Sequence, residues 1–371
     1  MRNFPQELID RILDDLHDDE PSLVQCSLVC RAWLPTTRYH LFSDLMLERQ
    51  PSKDTALLEL LALGPCTFTP FITHVWMSDR SSDAREVVEA WAPRLPLLCQ
   101  LSGVTTIYLT GSQFFPTLAH LTGLTYLRLH GVKFDSPRQL FDMLESCPTL
   151  TSLGFYDVEC TPSSESVSYS ESRHIRDLDI GLSSDVLDFF AGRLVAPHLN
   201  CNKIGFASIR FEDTQSIGKL LRHVGENLHD LSLGFANDGL ARVEEAFCAH
   251  VDLRHNTQLR TLRVTYIIQC TYDGTSVFCM ETLPQILRTI ASPHISGITL
   301  LLYIDQVQHL KDFAWAALDD SLSAPNLASL AEIKFWIRGE MREDHLTAEA
   351  AIRLEMPQCC AKRNMTFLDC W

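Results

Sequence analysis

One pattern of apolar and polar positions recurs along most of this chain: apolar-x-x-apolar-x-apolar. Its first copy is Ile72-Thr-His-Val75-Trp-Met77, followed by Val104-Thr-Thr-Ile107-Tyr-Leu109 and Leu124-Thr-Tyr-Leu127-Arg-Leu129. Leu150-Thr-Ser-Leu153-Gly-Phe155 and Ile175-Arg-Asp-Leu178-Asp-Ile180 come next. Later copies start at Leu199, with Asn202 in the middle slot, and at Leu228, Leu259, Ile295 and Leu330, at intervals of 20 to 36 residues. Alternation within each copy predicts a short strand with one buried face. Between copies the period changes to that of amphipathic helices. Ser136-Pro137 opens one carrying Leu140, Phe141 and Leu144; Ser184 opens one carrying Val186, Leu187, Phe190 and Leu194. Thr214 opens a third with Ile217, Leu220, Leu221 and Val224. Ser at the cap and Pro at the first helical position suit a helix start. Cys-Pro-Thr-Leu150, Ala-Pro-His-Leu199, Ser-Pro-His-Ile295 and Ala-Pro-Asn-Leu327 share one punctuation. A proline there stops the helix and forces an extended entry. The last case leaves two strand starts open, Leu327 by its proline and Leu330 by apolar fit.

A strand–helix unit of this size cannot bury its own apolar face, so neighbours must stack. The kernel is similar to that of leucine-rich repeats, irregular in length. That resemblance implies an α/β solenoid with a curved parallel sheet inside and helices outside. Glu343–Met356 reads as a closing helix and Met365–Cys370 as a closing strand that protects the sheet edge. The insertion Thr161–Ser172 is Ser-rich and polar, and reads as a solvated loop with phosphorylation as its one regulatory option.

The N-terminus is patterned differently. Pro5 suits a first helical turn, and Leu8, Ile9, Ile12, Leu13 and Leu16 fall on one face, with Asp10, Arg11, Asp14 and Asp15 opposite. His17–Glu20 and Pro21 end this helix, and Ser22 caps a second that runs through Trp33. That second helix is apolar nearly all round: Leu23, Val24, Cys26, Leu28, Val29, Cys30, Trp33. So small a module has too little core to hide all of this, and something else must cover it.

Phe4-Pro5-x-Glu7-Leu8, then Ile12, Leu13 and Leu16, then Leu23 and Leu28-Val29-Cys30-Arg31-x-Trp33 resemble the F-box, and Arg38-x-His40-Leu41-Phe42 resembles its fungal members. Phe4 stands where Leu is usual, and Cys26 where a larger aliphatic is common. F-boxes dock substrate receptors onto the Skp adaptor of cullin–RING ubiquitin ligases. The resemblance implies that Pro5, Leu8, Ile12, Leu13, Val29 and Trp33 contact the adaptor, while Ile9, Leu16 and Leu28 are expected to pack the module's own core. The expected organisation is an all-helical F-box at 1–47, a helical linker at 48–70 with its helix over Ser52–Leu63, and the repeat domain at 71–371.

Net charge is −16, spread along the chain, which leaves nothing to neutralise phosphates and argues against nucleic acid as a partner. The N-terminus lacks the apolar run of a signal peptide, so the 13 cysteines are expected to be reduced, in the cytoplasm or nucleus. No CxxC pair occurs, and His223/His229 and His250/His255 have no partner at ligand spacing, so no metal is expected. No phosphate loop, dinucleotide fingerprint, nucleophile elbow or zinc-protease motif is present. Neither catalytic residues nor a cofactor are expected.

The remaining candidates lie on the polar side of the strands. Residues flanking the middle apolar position point away from the core. Trp76, Tyr108, Tyr126, Arg128 and Tyr156 come first, with Cys201 and Lys203 further on. Trp, Tyr and Arg are the types that dominate interface hot spots, and Asp177 and Asp179 would favour a basic partner. The expectation is a non-catalytic substrate receptor, holding the adaptor through the F-box and a target protein through the concave strand face. The alternative is an F-box scaffold or ligand-sensing receptor uncoupled from degradation.

Overall fold

The structure, a computed structural model, describes residues 5–48, 59, 66–78, 98, 101–111, 118, 121–161, 175–192, 200–235, 240–268, 282–304, 310, 313–338 and 342–369. The expected linker helix and the Ser-rich insertion lie almost wholly outside these residues. The chain forms two compact units, Met1–Leu153 with Val158–Ser163, and Gly154–Asp157 with Ser164–Trp371.

The first unit begins with helices α1 (Gln6–Asp14), α2 (Glu20–Ser27) and α3 (Leu34–Phe42). Strands β1 (Asp44–Glu48), β2 (His74–Ser78), β3 (Thr106–Thr110) and β4 (Tyr126–His130) then pair in parallel in chain order. Strand β1 carries a copy of the kernel that the sequence reading missed. Phe42-x-x-Leu45-x-Leu47 sits in register with the first recognised copy, Leu45 opposite Val75 and Leu47 opposite Met77. It escaped notice because it overlaps the end of a helix, where Phe42 also stacks on Phe68 at 4.9 Å. Short strands β5 (Lys133–Phe134) and β7 (Glu159–Cys160) form a separate parallel pair, and α4 (Pro137–Ser146) lies between them in sequence. The α4 cap is the expected one, since Ser136 Oγ accepts the Gln139 N–H at 3.3 Å. Strand β6 (Ser152–Tyr156) is divided between the two units.

The second unit alternates parallel strands and helices: β8 (Asp177–Gly181), α5 (Ser184–Gly192), β9 (Lys203–Ile209), α6 (Thr214–Val224), β10 (Asp230–Phe235), α7 (Leu240–His250) and β11 (Thr261–Ile268). It continues through α8 (Thr282–Thr289), β12 (Gly297–Ile304), α9 (Trp315–Leu322), β13 (Glu332–Arg338), α10 (Arg342–Glu355) and α11 (Pro357–Lys362) to β14 (Asn364–Asp369). Consecutive strands pair in parallel, β8 through β14. The helices pack on the apolar sheet face, as when Phe247 of α7 meets Phe235 of β10 edge-on at 5.2 Å. The kernel residues Leu178, Ile204, Leu231, Leu262, Ile298 and Ile333 form one buried row.

One strand start differs from the sequence reading, and the one left open there is decided by the pairing. Ile204 pairs with Leu178, so the sixth kernel is Cys201-x-x-Ile204-x-Phe206 and starts two residues later than Leu199. The shift removes Asn202 from a core slot and moves Cys201 into one. At the other site, Pro325 begins a short 3₁₀ turn, Pro325–Leu327, and Ile333 pairs with Ile298, so the strand follows Leu330. Apolar fit, not the proline, sets the register there.

Polar side chains just ahead of the strands stitch neighbouring repeats together. Asn256 Nδ2 donates to the Leu221 and Gly225 carbonyls, both at 2.9 Å, and Asn326 Nδ2 to those of Leu287 and Ile290. Each asparagine thereby adds hydrogen bonds at the C-terminus of the preceding repeat's helix and ties it to the next strand's entry.

Candidate functional site

The N-terminal helices differ from the sequence expectation in a way that shapes their surface. Helix α2 is capped by Asp19, whose carboxylate accepts the Ser22 N–H at 3.1 Å and the Ser22 hydroxyl at 2.6 Å. Ser22 is thus a donor to the cap, and Pro21 sits in the first turn, where its missing N–H costs nothing. The helix stops at Ser27 instead of reaching Trp33, and Pro35 starts α3.

Helix α3 takes hold of the polar side of α1. Thr36 Oγ1 donates to Asp10 Oδ1 at 2.6 Å, and His40 Nε2 lies 2.8 Å from Asp14 Oδ1. These are two i, i+4 pairs facing each other. Gln6 adds a bond to Asp10 at 2.8 Å, and together the Thr36 and Gln6 hydrogen bonds hold the Asp10 carboxyl below the usual aspartate range. Between the two aspartates Leu13 is completely buried.

That arrangement divides the apolar stripe of α1. Successive helical residues are about 100° apart, so Ile12 and Leu13 cannot both face α3. Leu13, expected among the adaptor contacts, belongs to the module's own core. Leu8 and Ile12 face outward, 47% and 52% exposed, with Pro5 also exposed. On α2 and the turn after it, Leu28 and Val29 are 76% and 60% exposed, and Val24 joins them. Leu28 was expected inside, and the early end of α2 turns it out. Ile9, Leu16 and Trp33 are half-buried. Leu8, Ile12, Val24, Leu28 and Val29 are therefore apolar groups left in water by a module whose interior, Leu13, Leu23 and Thr37, is already closed.

The second candidate surface in the first unit is the sheet face away from the core. Trp76 and Tyr108 lie face to face, centroids 3.7 Å apart and planes 6° from parallel. Tyr126 tilts against Tyr108 at 5.5 Å, and Arg128 occupies the register position next to Tyr108. The expected residues Trp76, Tyr108, Tyr126 and Arg128 are thus brought together. They are half-buried or, for Trp76, 40% exposed.

In the second unit Tyr156, Asp177 and Asp179 are half-buried. Asp179 folds its carboxylate over Gly205, occupying the place where a side chain would stand. Asp177 faces Lys203 across the β8–β9 pair. Cys201, expected on the polar face with Lys203, is buried instead; burial first, and the Asp177 charge second, push its thiol up to about 12. Among the described residues no group of three His, Cys, Asp or Glu side chains is placed to hold a metal ion. No described helix is long and apolar enough to cross a membrane.

Comparisons with known proteins add little. No family model and no curated protein matches the chain. One solved structure that resembles it is a leucine-rich-repeat protein of Leptospira interrogans. The identity is 11%, over 82% of this chain and 92% of that one, with a TM-score of 0.21.

Proposed function

We propose that this chain is an F-box protein with irregular leucine-rich repeats, acting as the non-catalytic substrate-recognition subunit of a Skp–cullin–F-box ubiquitin ligase. The observation that carries the reading is the outward apolar set Leu8, Ile12, Val24, Leu28 and Val29 on α1, α2 and the turn after it, a module whose core is complete without them. Fully burying an exposed aliphatic side chain of this size is worth about 1.5–3 kcal/mol, and covering the exposed part of each of these five gains a share of that, which favours a partner. Of the six positions the F-box resemblance assigns to the adaptor, Pro5, Leu8, Ile12, Val29 and Trp33 are exposed or half-buried, and Leu13 is buried in the module's own core. The sheet face carrying Trp76, Tyr108, Tyr126 and Arg128 would hold the target, as would Tyr156, Asp177 and Asp179 in the second unit. Ubiquitin chemistry would come from other subunits, with the receptor raising the local concentration of target lysines.

The test is co-purification with a Skp adaptor. Wild type should capture it, and Leu8→Ala and Pro5→Ala should capture it less while keeping the wild-type circular dichroism spectrum. Failure of the folded wild type to bind a competent adaptor removes the ligase reading.

A further inference from the structure

The stacked pair in the first unit leaves one indole face and one carboxylate in reach of the same ligand. Trp76 is held on two sides: its ring lies on Tyr108, and its Nε1–H points to Asp44 Oδ1 at 3.5 Å. Asp44 is itself fixed by the Ser43 hydroxyl at 2.8 Å, and His74 Nδ1 lies 3.7 Å from it. His74 Nδ1 also lies 3.0 Å from the Thr73 hydroxyl. The indole is therefore oriented before any ligand arrives, which removes an ordering cost from binding.

With Tyr108 on one face, the other face of Trp76 looks toward β1. Met46, its register partner there, is 65% exposed, and the Asp44 carboxylate is 58% exposed. An aromatic face beside a carboxylate, with a pliable thioether next to them, complements a cation that has a flat, weakly hydrated body. A guanidinium meets that description better than an ammonium, because it stacks on indole and still offers N–H groups to a carboxylate. Anionic ligands would meet Asp44 unfavourably. The chain's net charge of −16 adds long-range attraction for a basic partner.

We propose that Trp76, Asp44 and Met46 form a receptor for an arginine side chain of the target protein. The inference rests on the reading of this sheet face as a target-binding surface, and it names the chemistry of one contact on it.

The probe is N-acetyl-L-arginine methylamide, with the uncharged isostere N-acetyl-L-citrulline methylamide as its control. Both are titrated into the full-length chain labelled with ¹⁵N-tryptophan, at constant ionic strength. The Trp76 indole N–H signal is assigned by its absence in Trp76→Phe. The arginine probe should shift that signal with a Kd on the order of millimolar, and citrulline should bind about five-fold more weakly. Asp44→Asn should bring the two probes to equal affinity without changing the unfolding midpoint. Equal responses to both probes in wild type, or a Trp76 signal that arginine does not move, would overturn the proposal. Adaptor capture engages other residues and is read separately. A normal arginine response with no adaptor binding would remove the ligase and leave this contact standing. Adaptor binding without an arginine response would do the reverse.

Discussion

Helices α1 and α6 are both strongly amphipathic, and they end in opposite situations. In α6 the apolar residues Ile217, Leu220, Leu221 and Val224 are all buried, closed in by the sheet and by neighbouring helices. In α1 only Leu13 is buried, while Leu8 and Ile12 stay in water. The difference comes from what packs against each helix. The neighbours of α6 meet its apolar side, whereas α3 meets α1 through Asp10 and Asp14, with Leu13 between them. An apolar stripe in sequence therefore says that a helix will be covered, but not by which molecule. A repeat finds its cover in the next repeat; the N-terminal module leaves Leu8 and Ile12 exposed.

Truncation separates the two cases most sharply. Leu220→Ala should cost about 2–5 kcal/mol of stability, because a fully enclosed side chain leaves a cavity. Leu28→Ala should change stability by less than about 0.5 kcal/mol, as an exposed position does. Urea unfolding of both variants checks the pair. A large loss in Leu28→Ala would mean that the N-terminal surface is covered within the chain itself.

A smaller effect tests how tightly the repeat helices approach. Gly218 in α6 has the His250 carbonyl oxygen where a side chain would begin. Gly218→Ala should therefore lower stability by about 1–3 kcal/mol, although alanine is the better helix former. Thermal unfolding reads this directly, and a rise in midpoint would show that α6 and α7 are free to separate.

The least energetic contrast is chemical. Cys201 keeps its proton up to about pH 12, whereas a free thiol ionises near pH 8.5. Its folded pKa is raised, so the folded state holds the proton longer than the unfolded one. The Cys201 contribution to stability is present at neutral pH and falls as pH rises past the ordinary thiol value. Cys30, by contrast, lies exposed just after α2. Iodoacetamide at pH 8.5 should alkylate Cys30 within minutes and leave Cys201 unmodified until the protein unfolds, as peptide mass mapping would show. Modification of native Cys201 would place it on the open sheet face.

Much of the fold was legible because burial writes itself into sequence with a fixed period. Ser136 and Ser184 marked helix starts, and Val75, Ile107, Leu127, Leu178 and Leu231 marked strand centres that the structure keeps. The errors came where two signals competed. The proline punctuation Ala-Pro-His-Leu199 points to a start at Leu199, which puts Cys201 on the polar side, yet Cys201 fills the core slot as a small hydrophobe. Phe42 belongs to the F-box resemblance in the sequence, and in the structure it is both the last residue of α3 and the first position of a strand kernel. The division of α1 into an inner Leu13 and an outer Leu8 and Ile12 depends on α3 reaching across with Thr36 and His40. No local pattern within α1 encodes that contact. The proximity of Trp76, Tyr108, Tyr126 and Arg128 was legible, since parallel register turns equal kernel positions into neighbours. The stacking of the rings and the role of Asp44 were not, because β1 itself had been missed.

The outward residues of the N-terminal helices are proposed as a partner interface and not a flaw in packing. Adaptor affinity and unfolding midpoint measured together on Ile12→Ala test it most directly. Truncating Ile12, as an interface residue, should lower Skp-adaptor affinity by about ten-fold or more, with an unchanged midpoint. A lowered midpoint with unchanged affinity would place Ile12 in the chain's own core and contradict it.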